Sequence, residues 1–321
     1  MDILVLGCSS VFKRRVLPAL NSCKEITRIN IASESQASFL FTDKPGNKLG
    51  KLFDNYETAI NSSCSHLVYI SLPNHLHFFW AKKSLESGMN VIVEKPASLN
   101  LKDSEYLIDL SQKKNLCLAE STVWSFHPAI DFIKNYLKLN RDKSLLVEAK
   151  FTVPNFESNN FRNFPEFGGG AFNDLSAYAV SLGRVLFDEN PISINGNLIS
   201  SDNVTGIDKK FSVNMEFSNN RKIGGIFGFG FDYNNTLKIN GNNYSFLLDR
   251  VFSPPSDKEI DLKMLFDGKV TYKYLKADAY AIFFNSIFQT YNTKNKFVWS
   301  EILYQDAIIT NKLRSLMNQD N

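Results

Sequence analysis

The chain has no long hydrophobic run, no charge excess and no cysteine motif, and each absence removes a class of protein. No window of about 18 apolar residues occurs, so no membrane-spanning helix is expected. The opening residues MDILVLGCSS are too short an apolar run for a secretory leader and no basic stretch precedes them, so a cytoplasmic location is expected. The net charge is only +3 and the basic residues are scattered. The short run Lys13-Arg14-Arg15 reads as a solvated helix face, and no nucleic-acid partner is expected. The four cysteines, at 8, 23, 64 and 117, form no C-x-x-C and have no nearby histidine at metal-ligand spacing, so reduced, mostly buried thiols are expected. Of the four histidines, His75 and His77 are the one close pair; at i,i+2 they point to different sides of a helix, and no metal site is expected. Internal repeats and low-complexity segments are also missing.

What remains is an ordinary globular composition, 44% hydrophobic and 21% charged over 321 residues, a length that suits about two domains. Residues 1–120 alternate short apolar runs with amphipathic stretches. Strands are expected at 2–6, 26–32, 67–72, 90–93 and 116–119, and helices at 11–21, 75–87 and 101–114. The run LVYISL, ending at Pro73, fits a parallel strand buried on both faces. This βαβ rhythm predicts an open parallel sheet, doubly wound with helices. From about residue 144 strand follows strand, at 145–153, 192–199, 210–217, 222–229, 236–240 and 269–274. Turn signals Asn219-Asn220, Asn240-Gly241 and Asp267-Gly268 lie between some of them. A large, mainly antiparallel sheet is expected there, with helices at 172–187, 278–290 and 300–317. The fold class is therefore α/β: a Rossmann domain over 1–122 and an α+β domain over 123–321. The Phe- and Asn-rich stretch 153–167 reads as a loop near a pocket.

The first strand runs into Gly7-Cys8-Ser9-Ser10-Val11-Phe12. A dinucleotide turn needs glycine for the tight bend, then a small residue so that backbone can approach a pyrophosphate at the helix N-terminus. Gly7 and Ser9 meet those needs, and Ser10 and Val11 follow as candidate contacts. Phe12 occupies the third, normally small position, where bulk opposes close helix–strand packing. At the end of the second strand, Ser33 and Glu34 are placed to meet the adenosine ribose. Glu34 would repel a 2′-phosphate, whereas Ser33 can donate to one and Arg14 or Arg15 can reach it, so NAD and NADP both remain open. Glu94-Lys95-Pro96 stands at the carboxyl end of a buried strand, where ligands of open α/β sheets bind. Pro96 holds Lys95 extended. A partly desolvated lysine there can exchange protons near neutrality, although the residues alone also allow a surface Glu–Lys pair.

Leu72-Pro73-Asn74-His75-Leu76-His77, then Gly88 and Glu94-Lys95-Pro96, resemble the Gfo/Idh/MocA oxidoreductase family signature P-[NT]-x-x-H…G-K-x-V-x-x-E-K-P, with Met89 in place of the first lysine. Phe126-His127-Pro128 resembles the family's entry into its second domain. Asn160-Phe161-Arg162 through Pro165, Gly168-Gly169-Gly170-Ala171, Asp174 and Tyr178 resemble its second motif, with Ser176 replacing a glycine. The likeness spans essentially the whole chain and is greatest to the branch of nucleotide-sugar 3-ketoreductases and trans-dihydrodiol dehydrogenases.

The resemblance implies an NAD(P)-dependent oxidoreductase acting on a sugar or nucleotide-sugar carbonyl or hydroxyl. It makes Lys95 the proton donor or acceptor, puts Tyr178 at the second catalytic position and Asp174 one helical turn before it. It places Leu72, Pro73, Asn74 and His77 along the cofactor path and Glu94 and Pro96 beside the nicotinamide. Arg162 and His127 become substrate candidates, and a homodimer or homotetramer is expected through the C-terminal sheet. A non-catalytic dinucleotide-binding regulator on the same fold is the alternative, motivated by Phe12 and Ser176.

Overall fold

A computed structural model describes residues 1–34, 47–140 and 144–317. The first part of the chain forms β1 (Asp2–Leu6), a π-helical turn (Phe12–Val16) running into α1 (Leu17–Ser22), β2 (Arg28–Ala32), β3 (Leu49–Phe53), α2 (Tyr56–Ser62), β4 (Leu67–Ile70), α3 (Asn74–Glu86), β5 (Asn90–Val93), α4 (Leu101–Lys113) and β6 (Leu118–Glu120). Next come α5 (Pro128–Asn140), β7 (Leu145–Val153), α6 (Ala171–Phe187), β8 (Ser193–Ser201), β9 (Asp208–Phe217), β10 (Arg221–Phe229), β11 (Asn234–Asn240), β12 (Tyr244–Asp249), β13 (Ile260–Phe266) and β14 (Lys269–Leu275). The helices α7 (Ala279–Thr290) and α8 (Val298–Met317) end the described chain.

Two compact units result. The first comprises Met1–Ser121 with Tyr280–Tyr304, and the second comprises Thr122–Ala279 with the chain after Tyr304. In the first, six parallel strands are ordered β3-β2-β1-β4-β5-β6. The order reverses between β1 and β4, the topological switch point where ligands of such sheets bind. The central strands β4 and β5 are buried at every position, so their apolar runs need no polar face. Asparagine caps start two helices. Asn55 accepts from Thr58 N–H at 2.9 Å, and Asn100 accepts from Asp103 N–H at 2.9 Å. Leu303 joins this unit's core, and Phe284 meets Tyr69 edge to face.

The second unit is built on eight strands ordered β14-β13-β12-β11-β7-β10-β9-β8, in which only β7 and β10 run parallel. Strand β7 buries alternate residues, so one face of the sheet packs on α5 and α6 and the other meets solvent. The turn residues Asn219 and Asn220 adopt φ of 56° and 55°, and Asp267 and Gly268 adopt 47° and 81°, the left-handed pair that tight hairpins require.

Several expected elements shift. The strand expected at 67–72 stops at Ile70, because Leu72 and Pro73 form the turn into α3. The strand expected at 116–119 runs from Leu118 to Glu120, and that expected at 26–32 begins at Arg28. The helix expected over 11–21 opens with a π turn. Phe12 is fully buried within that wider turn, so its bulk is accommodated rather than excluded. Of the cysteines, Cys23 and Cys117 are buried, but Cys8 is partly exposed and Cys64 is exposed, so the thiols are not mostly buried.

Candidate active site

In the first unit the site grows from the register of β1 against β4. The pairing ends at Leu6 with Ile70, which brings Gly7 beside Ser71. Gly7 has φ +93°, and a Cβ there would lie 2.4 Å from the Ser71 carbonyl oxygen, so glycine is required twice over. Ser9 Oγ lies 2.7 Å from Ser71 Oγ and accepts the Phe12 N–H at 3.0 Å, closing the turn on the helix start. Ser10 is exposed and Val11 partly so at that N-terminus, and Arg14 Nε donates to the Ser10 carbonyl at 3.3 Å. Ser33 is buried at the end of β2, its N–H donating to Phe53, and Glu34 is exposed next to it. A tight glycine turn, an open helix N-terminus and an exposed carboxylate after β2 fit the pyrophosphate and ribose of a dinucleotide.

Lys95 follows β5, and its chain neighbours are held from four other elements. Tyr69 of β4 donates its hydroxyl to Glu94 Oε1, and Tyr280 of α7 stands 3.4 Å from the same oxygen. The Pro96 carbonyl lies 2.7 Å from His77 Nδ1, and the Lys95-Pro96 bond is cis. The Ala97 N–H donates to Glu120 Oε2 of β6 at 2.8 Å. His77 is buried, and its Nε2 meets the Leu72 carbonyl at 2.7 Å, so the ring joins the two strand-end turns. Burial drives its pKa down to about 4, against the pull of the two carbonyls. Burial likewise raises the Glu94 carboxyl, opposed by the Tyr69 hydrogen bond and the charge of Lys95. Asn74 is buried at the start of α3.

In the second unit, Asp174 and Tyr178 lie one turn apart on α6. Asp174 is buried and accepts from Arg162 Nε at 2.9 Å and Nη2 at 3.4 Å, while the Arg162 guanidinium lies 4.5 Å from the Phe161 ring centroid. Arg162, foreseen as a substrate contact, is therefore engaged with Asp174. Tyr178 is partly exposed and packs edge-on against Phe151 at 5.2 Å. The glycine run is explained from within the chain. Asp208 accepts the Phe172 N–H at the start of α6, and a Cβ on Gly170 (φ +98°) would lie 2.3 Å from Asp208 Oδ1. A Cβ on Gly169 would lie 2.6 Å from the Arg162 carbonyl. Burial raises the Asp208 carboxyl, with the Phe172 N–H and then Arg314 acting the other way. Ser176 is buried within α6.

His127 is buried, its Nδ1 accepting from Ala129 N–H at 3.2 Å; burial lowers its pKa to about 4. The neutral ring then carries its proton on Nε2, which has no hydrogen-bond partner among the described residues. A cleft of about 210 Å³ lined by Leu137, Lys138, Phe187, Glu189 and Arg221 contains none of the foreseen residues, and Arg221 is paired with Glu189 there.

Tyr69, Tyr280, Glu120 and Asp208 were not anticipated. For Tyr69 a signal existed: a hydroxyl inside an otherwise apolar buried strand needs a partner.

The sheet order and the glycine turn of the first unit define a dinucleotide-binding fold. Residues 1–122 match the model of the Gfo/Idh/MocA oxidoreductase family, NAD-binding Rossmann fold, and residues 143–246 match the Gfo/Idh/MocA C-terminal domain. The chain belongs to the Gfo/Idh/MocA family, is an oxidoreductase, and takes NAD or NADP. It is 26% identical over 280 residues to dTDP-3,4-didehydro-2,6-dideoxy-alpha-D-glucose 3-reductase of Saccharopolyspora spinosa, covering 85% of this chain and 82% of that protein. It is also 26% identical over 259 residues to the reductase of the same name from Streptomyces violaceoruber, covering 80% and 75%. Among solved structures, a 3-ketoreductase from Actinomadura kijaniata in complex with NADP and TDP-benzene superposes with TM-score 0.87 at 22% identity, covering 99% of this chain and 98% of that one.

Proposed function

We propose that the chain interconverts a carbonyl and a hydroxyl on a nucleotide-linked sugar, with Lys95 as its proton donor and acceptor. The observation that carries this reading is the bracing of Lys95: Glu94, Pro96 and Ala97 are each hydrogen-bonded to a different element. A group that moves protons must be held within a few tenths of an ångström of its target. A bound nicotinamide supplies or accepts the hydride at the sugar carbon. Lys95, as an ammonium, gives its proton to the carbonyl oxygen during reduction and takes it back in the reverse sense. Tyr178 assists that transfer, and Asp174 with Arg162 fixes the helix turn on which Tyr178 stands. His127 offers its Nε2–H to a substrate oxygen. Gly7, Ser9, Ser10, Val11, Arg14, Ser33, Glu34, Leu72, Pro73, Asn74 and His77 serve the dinucleotide.

The named relatives support a nucleotide-linked keto-sugar as substrate, reduced at C3. A homodimer or homotetramer through the solvent-facing side of the large sheet is part of the same proposal. That face carries Leu146 and Ile226, exposed at 46% and 37%; ultracentrifugation showing only monomer contradicts it. The function is tested by thermal shift with NAD(H) and NADP(H), followed by cofactor oxidation with a panel of dTDP-linked keto-sugars. A preferred cofactor and turnover on a keto-sugar are expected. Stabilisation by a dinucleotide without turnover on any keto-sugar favours a non-catalytic regulator instead.

A further inference from the structure

We infer that Tyr69 is a positioning residue for Lys95, acting through the Glu94 carboxylate that it hydrogen-bonds. This rests on the proposed acid–base role of Lys95. Tyr69 lies inside β4, where all four side chains are buried. Its hydroxyl donates to Glu94 Oε1. Its ring meets Phe284 of α7 edge to face, with centroids 5.6 Å apart. One turn earlier on α7, the Tyr280 hydroxyl stands 3.4 Å from the same oxygen. Positions 280 and 284 share a helix face, so α7 buttresses both the donor and its acceptor. A central strand and a helix far along the chain therefore converge on one oxygen of the residue directly before Lys95.

The consequence is electrostatic. Desolvation favours a neutral Glu94, and the tyrosine donor and the Lys95 charge favour the ionised form. Tyr69 itself is held well above the usual tyrosine range, by burial first and by Glu94 next, so it remains a donor across the working range of pH. An ionised Glu94 favours the ammonium form of Lys95, the form that donates a proton during carbonyl reduction. Among the described residues, the other titratable groups beside this cluster are His77 of α3, which feels the charges of Lys95 and of His75, Tyr280 of α7 and Glu120 of β6.

The test is Tyr69→Phe, which keeps the ring against Phe284 and removes one donor. In the reduction direction, kcat falls as pH rises through the Lys95 pKa. Weakening the ionised Glu94 lowers that pKa, so the falling limb moves to lower pH by about one unit, the scale of one nearby charge. On the alkaline side of the limb kcat falls by up to about ten-fold, below it kcat is little changed, and KM and dinucleotide affinity stay within about two-fold. Glu94→Gln moves the limb the same way, and the double variant moves it no further than Glu94→Gln alone. An unmoved limb in Tyr69→Phe, with only a lower melting temperature, overturns the inference. Should Tyr69→Phe fail to fold, Tyr280→Phe is read identically: an acidward limb supports the inference and an unmoved limb overturns it. Failure of the underlying reading is distinguishable, because it shows as turnover that survives Lys95→Ala.

Discussion

His77 Nδ1 on α3 stands 2.7 Å from the carbonyl oxygen of Pro96, the residue directly after Lys95. Its other ring nitrogen stands 2.7 Å from the Leu72 carbonyl, so a single buried ring spans the turns that follow β4 and β5. His77→Ala removes the one N–H that the neutral ring can donate to these carbonyls and opens a void. It is expected to cost about 1–3 kcal/mol of stability, read as a lower urea midpoint at unchanged slope, and to lower kcat more than it changes KM. A variant with the wild-type midpoint contradicts the bridging role.

Gly7 admits no other residue. Gly7→Ala places a methyl 2.4 Å from the Ser71 carbonyl in a backbone region that side chains rarely adopt. The expected loss is about 1–3 kcal/mol, together with loss of the thermal shift given by NAD(H) or NADP(H). Full retention of both stability and cofactor shift contradicts the turn assignment.

Asp208 caps the helix that carries Asp174 and Tyr178, and it faces Arg314. Asp208→Ala removes the cap and leaves a largely buried cation without its acid, an expected loss of at least about 2 kcal/mol. Asp208→Asn retains an acceptor and is expected to lose less. Equal melting temperatures for the two variants contradict the capping account.

His127 gives a pH signature. Its folded pKa of about 4 lies below the ordinary value of 6.5, so the unfolded chain takes up the proton first as pH falls. The stability is fully present above pH 6.5 and is lost progressively towards pH 4, on the order of 3 kcal/mol in total. His77 is depressed in the same direction and adds over the same window. Urea midpoints for His127→Gln are expected to depend less steeply on pH between 6.5 and 4; an unchanged dependence contradicts the buried neutral imidazole.

The parallel sheet was readable because β4 and β5 are buried on both faces and so read as unbroken apolar runs. Strand β3 was not, since LGKLF lies at the sheet edge, partly exposed, with Gly50 packed against the Arg28 side chain. The alternation of Ile260, Leu262 and Met264 in β13 was legible but passed over. At the site, the strand end and the following proline made Lys95 a candidate but equally allowed a surface Glu–Lys pair, and only the resemblance singled it out. Its supports were not legible, because Tyr69, His77, Glu120 and Tyr280 meet only after the strands are ordered. Asp208 was hidden for the same reason, since its cap acts on a helix that begins 37 residues earlier, at Ala171. A helix-start glycine run shows in sequence that something approaches closely, but not whether it is a ligand or the chain's own carboxylate.

The central claim, that Lys95 moves the proton in a nicotinamide-dependent sugar oxidoreduction, is tested most directly by steady-state turnover of Lys95→Ala with its preferred cofactor and a dTDP-linked keto-sugar. The expected result is a kcat lower by about 10²- to 10⁴-fold, with the dinucleotide thermal shift retained. Turnover within a few-fold of wild type contradicts the claim.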